Sequence, residues 1–212
     1  MATPRRITKQ GWATREKLDR GDSATRAALL DAAQRVFERR GYARTTIADI
    51  TDEAGVGRAT FYVYFASKEE VFAVLAHDVC DRLLAAQAVT SGAADSPYMV
   101  AEATNAAFLD TYTANLAFIT VLEHQALTSP EIEALRDEIY SRPLHRTARY
   151  IERLVDQGLA RPAAPPESVA RAAIGIVAMF APLVAREPAR RSEAITHITA
   201  MYLRLLGIAP ES

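Results

Sequence analysis

Cys80 is the only cysteine in the 212 residues. Its solitude excludes an intrachain disulfide framework and a cysteine-rich zinc site, and makes a reducing cytoplasm the expected home. Lysine is scarce as well, with only Lys9, Lys17 and Lys68, all in the first third. The longest apolar run, residues 172–185, has 14 residues interrupted by Gly175 and Pro182, where a bilayer span needs ~20. A core or interface helix is predicted there instead. Arg5, Arg6 and Lys9 open the chain with no apolar stretch behind them, so the secretory-signal pattern fails and no membrane partner is expected. His77, His124, His145 and His197 are scattered without ligand spacing. No Gly-rich phosphate loop or Gly-x-Ser-x-Gly elbow occurs, so neither an enzyme nor a metal or other cofactor is expected.

What is present is an uneven distribution of charge on a helical pattern. The net charge is −1, yet residues 1–70 hold 13 basic against 10 acidic side chains and residues 71–212 hold 12 against 16. That split suggests a front end facing a polyanion on a neutral-to-acidic body. Apolar residues recur at helical spacing with no convincing period-2 run, which predicts an all-α chain. After a basic, flexible leader (residues 1–21, with Trp12), a first helix starts near Ser23, carries Leu29, Leu30, Ala33, Val36 and Phe37 on one face, and stops at Gly41. Thr45 or Thr46 caps a second helix ending at Ala54-Gly55, and a third short helix runs from Arg58 to about Tyr64. Ser67 and Glu70 form a capping box ahead of a long fourth helix reaching Val89. Further helices are predicted at 97–114, 116–127, 130–157, 166–186 and 190–206, with kinks or breaks at Pro143 and Pro182 and a loop over 161–167.

Residues 45–70, TTIADITDEAGVGRATFYVYFASKEE, read as a helix-turn-helix. Gly55 provides the left-handed turn, Val56 buries it, and small Ala54 lets the second helix cross closely. The second helix presents Arg58, Thr60, Tyr62 and Tyr64. An arginine fork matches guanine O6/N7, a threonine offers a hydroxyl and a methyl to base edges, and tyrosine hydroxyls and Lys68 suit phosphate oxygens. A small helical hairpin in an ordinary bundle is the plainer alternative.

The segment resembles, almost position by position, the DNA-binding domain of the TetR family of transcriptional regulators. Gly41-Tyr42, Thr45-Thr46, Ile50, Ala54-Gly55-Val56, Thr60, Phe61-Tyr62, Tyr64-Phe65 and Ser67-Lys68-Glu69 carry the resemblance, which covers roughly residues 23–75. It implies a three-helix DNA-binding head (22–66), joined by a long helix to a helical ligand-binding and dimerisation body (67–212). It also implies a homodimer on a double-stranded DNA operator, released by a small-molecule effector. By match to the family pattern, Thr46, Tyr62, Tyr64 and Lys68 position the backbone while Arg58, Ala59 and Thr60 read bases, with Arg44 a further phosphate contact. Gly57 departs from the pattern, standing where a serine commonly caps the recognition helix, and so predicts a weaker cap.

The body carries no motif. Asn105, Phe108 and Tyr112 share a helical face, and with Phe118, Leu122, His124 and Met179 they are candidate ligand contacts for a largely apolar molecule; core packing is the alternative for each. Ala172 and Gly175 put small residues on one helix, and Ile195, Ile198, Tyr202 and Leu205 form an apolar stripe on the last, a candidate dimer interface whose alternative is an internal core. An all-α enzyme or carrier that contains a helix-turn-helix, and a constitutive regulator without effector, remain open at this point.

Overall fold

The computed structural model describes residues 10–88 and 96–208, with side chains described for 24–88, 96 and 98–208. Among the described residues the secondary structure is helical throughout: α1 (Gln10–Arg40), α2 (Ile47–Ala54), α3 (Arg58–Tyr64), α4 (Lys68–Ala86), α5 (Pro97–Ala114), α6 (Leu116–Ala126), α7 (Pro130–Asp156), α8 (Pro166–Arg186) and α9 (Arg191–Leu205), with a 3-10 turn at Pro188–Arg190. Two compact units divide at Leu75 and Ala76, within α4.

The first unit closes around aromatic rings. Leu29, Ala33, Val36 and Phe37 of α1 are fully buried as the spacing predicts, together with Ile50, Phe61 and Phe72. The Phe72 ring stands edge-on to Phe37 at 5.1 Å and to Tyr42 at 4.7 Å. Each such ring contributes about 1.5–3 kcal/mol of burial, with up to ~1.5 kcal/mol more from edge-to-face geometry. Two boundaries differ from the sequence reading. Helix α1 starts at Gln10 rather than near Ser23, since Ala, Arg, Glu, Lys and Leu before Gly21 are good helix formers and one glycine costs only about 1 kcal/mol. Residues 1–9 of the leader and the side chain of Trp12 lie outside the described residues. Helix α4 ends at Ala86, short of Val89; the break expected at Ser91-Gly92 also lies outside the described residues.

In the second unit α5, α7, α8 and α9 converge on one apolar cluster that includes Ala101, Leu144, Ile151, Val169, Ala170, Tyr202, Leu203 and Leu206. Ser96 and Ser129 cap α5 and α7, each followed by a proline in the first turn. Of the kinks or breaks expected at Pro143 and Pro182, breaks are absent: α7 and α8 each continue through the proline. Helix α8 opens at Pro166 and ends at Arg186, the bounds predicted for it, and so takes in the last two residues of the loop expected over 161–167. The Cys80 thiol is buried and donates to Ile139 O at 3.1 Å, and burial pushes its pKa up, as suits an inert core thiol.

The apolar stripe of α9 faces inward. Ile195, Ile198 and Tyr202 are buried and Leu205 is half-buried, which corrects the assignment of this stripe to a dimer interface: it is core of the single chain. The residues left outside are on α8, where Ala172 and Gly175 are exposed together with Met179 at 78 %. By length and composition α8 is also the one described helix apolar enough to cross a membrane, with a mean hydropathy of 1.9 and 28 % of that stretch buried. It packs against α5, α7 and α9 as a helix of the body.

Candidate nucleic-acid interface and body cavities

Thr46 begins the interface by fixing α2. Its hydroxyl accepts from Asp49 N at 3.2 Å while the Asp49 carboxylate accepts from Thr46 N at 2.9 Å, a reciprocal capping box. Gly55, at φ 68°, turns the chain out of α2 in the left-handed region. Gly57 precedes α3 without a side-chain cap, as its departure from serine predicts. Ser67 accepts from Glu70 N at 3.3 Å, but the Glu70 carboxylate reaches Ala66 N rather than Ser67 N, so the box at the start of α4 is displaced by one residue.

Charge does two different jobs in this unit. Arg35 and Arg39 both donate to Glu53 at 2.9 Å, and Arg40 pairs with Asp49, so three arginines of α1 are spent on holding α2. Hydrogen bonds from these partners, and for Asp49 chiefly from Thr46, hold both carboxyls below their usual values. These three arginines are therefore engaged within the head, while the net excess, which already counts Asp49 and Glu53, is unchanged. Arg44 and Arg58 remain exposed and clear of carboxylates among the described residues.

Around buried Phe61, helix α3 turns Arg58, Ala59, Tyr62 and Val63 to solvent, with Tyr62 50 % and Val63 73 % exposed. Thr60 and Tyr64 are half-buried at the edges of that face. Arg58 lies along Tyr62: its Nη2 is 3.4 Å from the phenol oxygen and its guanidinium 5.9 Å from the ring centroid. A fork lying on a neighbouring ring is partly ordered. Val63 was missed by the sequence reading, although the helical period places it four residues after Ala59; an exposed β-branched side chain suits a thymine methyl.

Lys68 makes contacts within the head that the sequence reading did not include. Its ammonium donates to the carbonyls of Tyr42 and Thr45, both at 3.0 Å, and sits 4.3 Å above the Tyr42 ring. It therefore ties the α1–α2 turn to the start of α4. Arg44 donates to Arg40 O at 3.0 Å and so sits at the end of α1 beside Thr46.

Residues 29–75 match the model of the bacterial regulatory proteins, tetR family. The head therefore carries a TetR-family DNA-binding domain. The chain is 45% identical over 62 residues to the HTH-type transcriptional regulator TtgR of Pseudomonas putida, a match spanning 28% of this chain and 30% of that relative. A longer alignment, 28% identical over 185 residues, joins it to the HTH-type transcriptional regulator EthR of Mycobacterium tuberculosis, covering 82% of this chain and 86% of EthR. Among solved structures, Salmonella enterica GusR superposes with a TM-score of 0.76 at 18% identity, covering 87% of this chain and 96% of GusR. A TetR-like transcriptional regulator from Rhodococcus sp. RHA1 gives 0.67 at 25% identity, covering 86% and 96%. These likenesses extend the TetR fold beyond the head into the body.

Two cavities open among the described residues of the body. The first, about 440 Å³, is bordered by α5, α7, α8 and α9 and includes the expected Asn105 and Phe108, along with Tyr202. Asn105 donates to buried Thr199 at 3.2 Å. The second, about 590 Å³, takes in Tyr112, Tyr140, Gly175 and several charged residues. Four ligand candidates lie elsewhere. Phe118 and Leu122 are buried core of α6, while His124 and Met179 face solvent. Periodicity groups side chains by face, and these faces happen to be the ones turned away from either cavity.

Proposed function

We propose that this protein, as a member of the TetR family, regulates transcription as a cytoplasmic homodimer, binding a palindromic operator and acting as a repressor that a small molecule releases. The observation that carries the reading is the face of α3, where Arg58, Ala59, Tyr62 and Val63 stand out from a packed head. Arg58, Ala59 and Thr60 are the proposed base readers. Arg44, Thr46, Tyr62 and Tyr64 position the backbone, and Lys68 does so by holding the turn. The 440 Å³ cavity, of a size suited to a drug-sized guest, is the proposed effector site, with Asn105 and Phe108 in its wall. Exposed Ala172, Gly175 and Met179 make α8 the proposed dimer face.

The test is fluorescence anisotropy on the protein's own upstream DNA across a salt series. Binding should weaken linearly in log salt, and Arg58→Ala should cost ~1–3 kcal/mol against one operator base pair while leaving the others unaffected. A uniform loss across all operator variants would remove Arg58 from base reading. No sequence preference at any salt would overturn the regulator reading itself.

A further inference from the structure

The two cavities of the body differ in how their charges are balanced. In the larger one Arg136 is shared among Asp137 at 2.7 Å, Glu133 at 3.7 Å and Glu123 at 3.9 Å, and Arg171 lies 3.5 Å from Glu167. Its cations are already answered by the protein. The 440 Å³ cavity is bordered by Arg146 and Arg153 with no aspartate or glutamate among its described lining residues. Neither arginine has a carboxylate partner among the described residues. They stand seven residues apart on α7, hence about 10 Å along its axis, so they flank the opening rather than crowd one point.

Between them lies Tyr150, with the Arg153 guanidinium 5.6 Å from its ring centroid. Burial pushes the phenols of Tyr150 and Tyr202 above their usual pKa, so both stay neutral donors at ordinary pH. Farther along the wall, Gln87 donates to Thr147 at 3.1 Å, while its Oε1 is buried without a hydrogen-bond partner. A wall that leaves a buried acceptor unsatisfied is completed by a guest or a water. The rest is apolar, with Val100, Phe108 and Val177 among the lining.

We propose that this cavity takes an amphipathic carboxylate, its hydrocarbon body against Phe108 and Val177 and its carboxylate held at the rim by Arg146 or Arg153. Unpaired guanidiniums form charge-assisted, frequently bidentate hydrogen bonds with a carboxylate, and the same two charges repel a cationic guest. The inference rests on the reading of this cavity as the effector site, and gives that effector a sign of charge.

Calorimetry on the full-length protein tests it with three ten-carbon probes: decanoate, 1-decanol and decyltrimethylammonium. Decanoate should bind about tenfold more tightly than decanol, the scale of one charge-assisted hydrogen bond, and the cation should bind weakest. In R146A/R153A the preference for decanoate over decanol should shrink to near unity. Arg149→Ala, an exposed change on the same helix outside the lining, should preserve it. Equal binding of decanol, tighter binding of the cation, or an unchanged preference in the double variant overturns the carboxylate assignment and leaves the effector reading standing. No binding by any probe overturns both. Arginine-dependent decanoate binding that fails to displace operator DNA upholds the carboxylate assignment and overturns release by ligand.

Discussion

Asp49 and Glu53 carry two loads each at the residue scale. Asp49 caps α2 and pairs with Arg40, and Glu53 ties α2 to α1 through Arg35 and Arg39. Both folded-state pKa values lie below the ordinary 3.8 and 4.5, so the folded head binds fewer protons than the unfolded chain in acid. The stabilisation is present above those ordinary values and is lost as pH falls through the folded ones. Thermal unfolding of the head followed from pH 6 down should therefore fall away at about pH 4 and below, and D49N/E53Q should flatten the curve. An acid profile unaltered by the double substitution would move the titration elsewhere. Lys68 makes the opposite kind of prediction. Lys68→Met keeps the aliphatic stem but removes the donor to two carbonyls, at a cost of about 1.5–3 kcal/mol in head stability. Calorimetric unfolding should register that loss even without DNA, which a pure phosphate contact would not produce.

Elements add a different test, because α3 has only seven residues and starts on an uncapped glycine. At φ −74° and ψ 152° Gly57 already has the extended geometry of a cap, and a Cβ there meets nothing within 4 Å. Gly57→Ser should gain a few tenths of a kcal/mol and slow amide exchange in the first turn of α3. Unchanged exchange at Ala59 and Thr60 would mean that tertiary packing, rather than the cap, sets the order of this helix. The departure was legible in the sequence because capping is local. So were the Gly55 turn and the Thr46 cap, each decided by residues within a few positions, whereas the outward side of α3 was read only in part, Val63 being missed. The α9 stripe was legible only as a stripe. A period of 3.6 shows that Ile195, Ile198 and Tyr202 are buried on one side, but whether the covering surface belongs to the same chain depends on where α5 and α8 lie. The contacts of Lys68 were out of reach for the same reason: its partners are 26 and 23 residues away, beyond any local pattern.

At the scale of the whole molecule, a homodimer converts one reading helix into two related by a twofold axis, and that geometry constrains the DNA. If the copies meet along α8, charge placed on its exposed face should separate them without harming the fold. Gly175 is the position to use, since a Cβ there meets nothing within 4 Å, whereas Ile198 is 1 % exposed and a charge there would enter the core. Sedimentation should find Gly175→Glu monomeric with an unchanged unfolding temperature, and Ile198→Glu destabilised whatever its mass. The operator should respond in step. Two heads on a twofold axis require inverted half-sites about one DNA turn apart, ~34 Å, or a multiple of it. Inserting half a turn between the half-sites rotates one of them to the opposite side of the duplex, so it should abolish tight binding by the dimer. The Gly175→Glu monomer, reading a single half-site, should be weak on both spacings and indifferent to the insertion. A Gly175→Glu protein that sediments as a dimer and still distinguishes the spacings would place the subunit contact on another surface of the body.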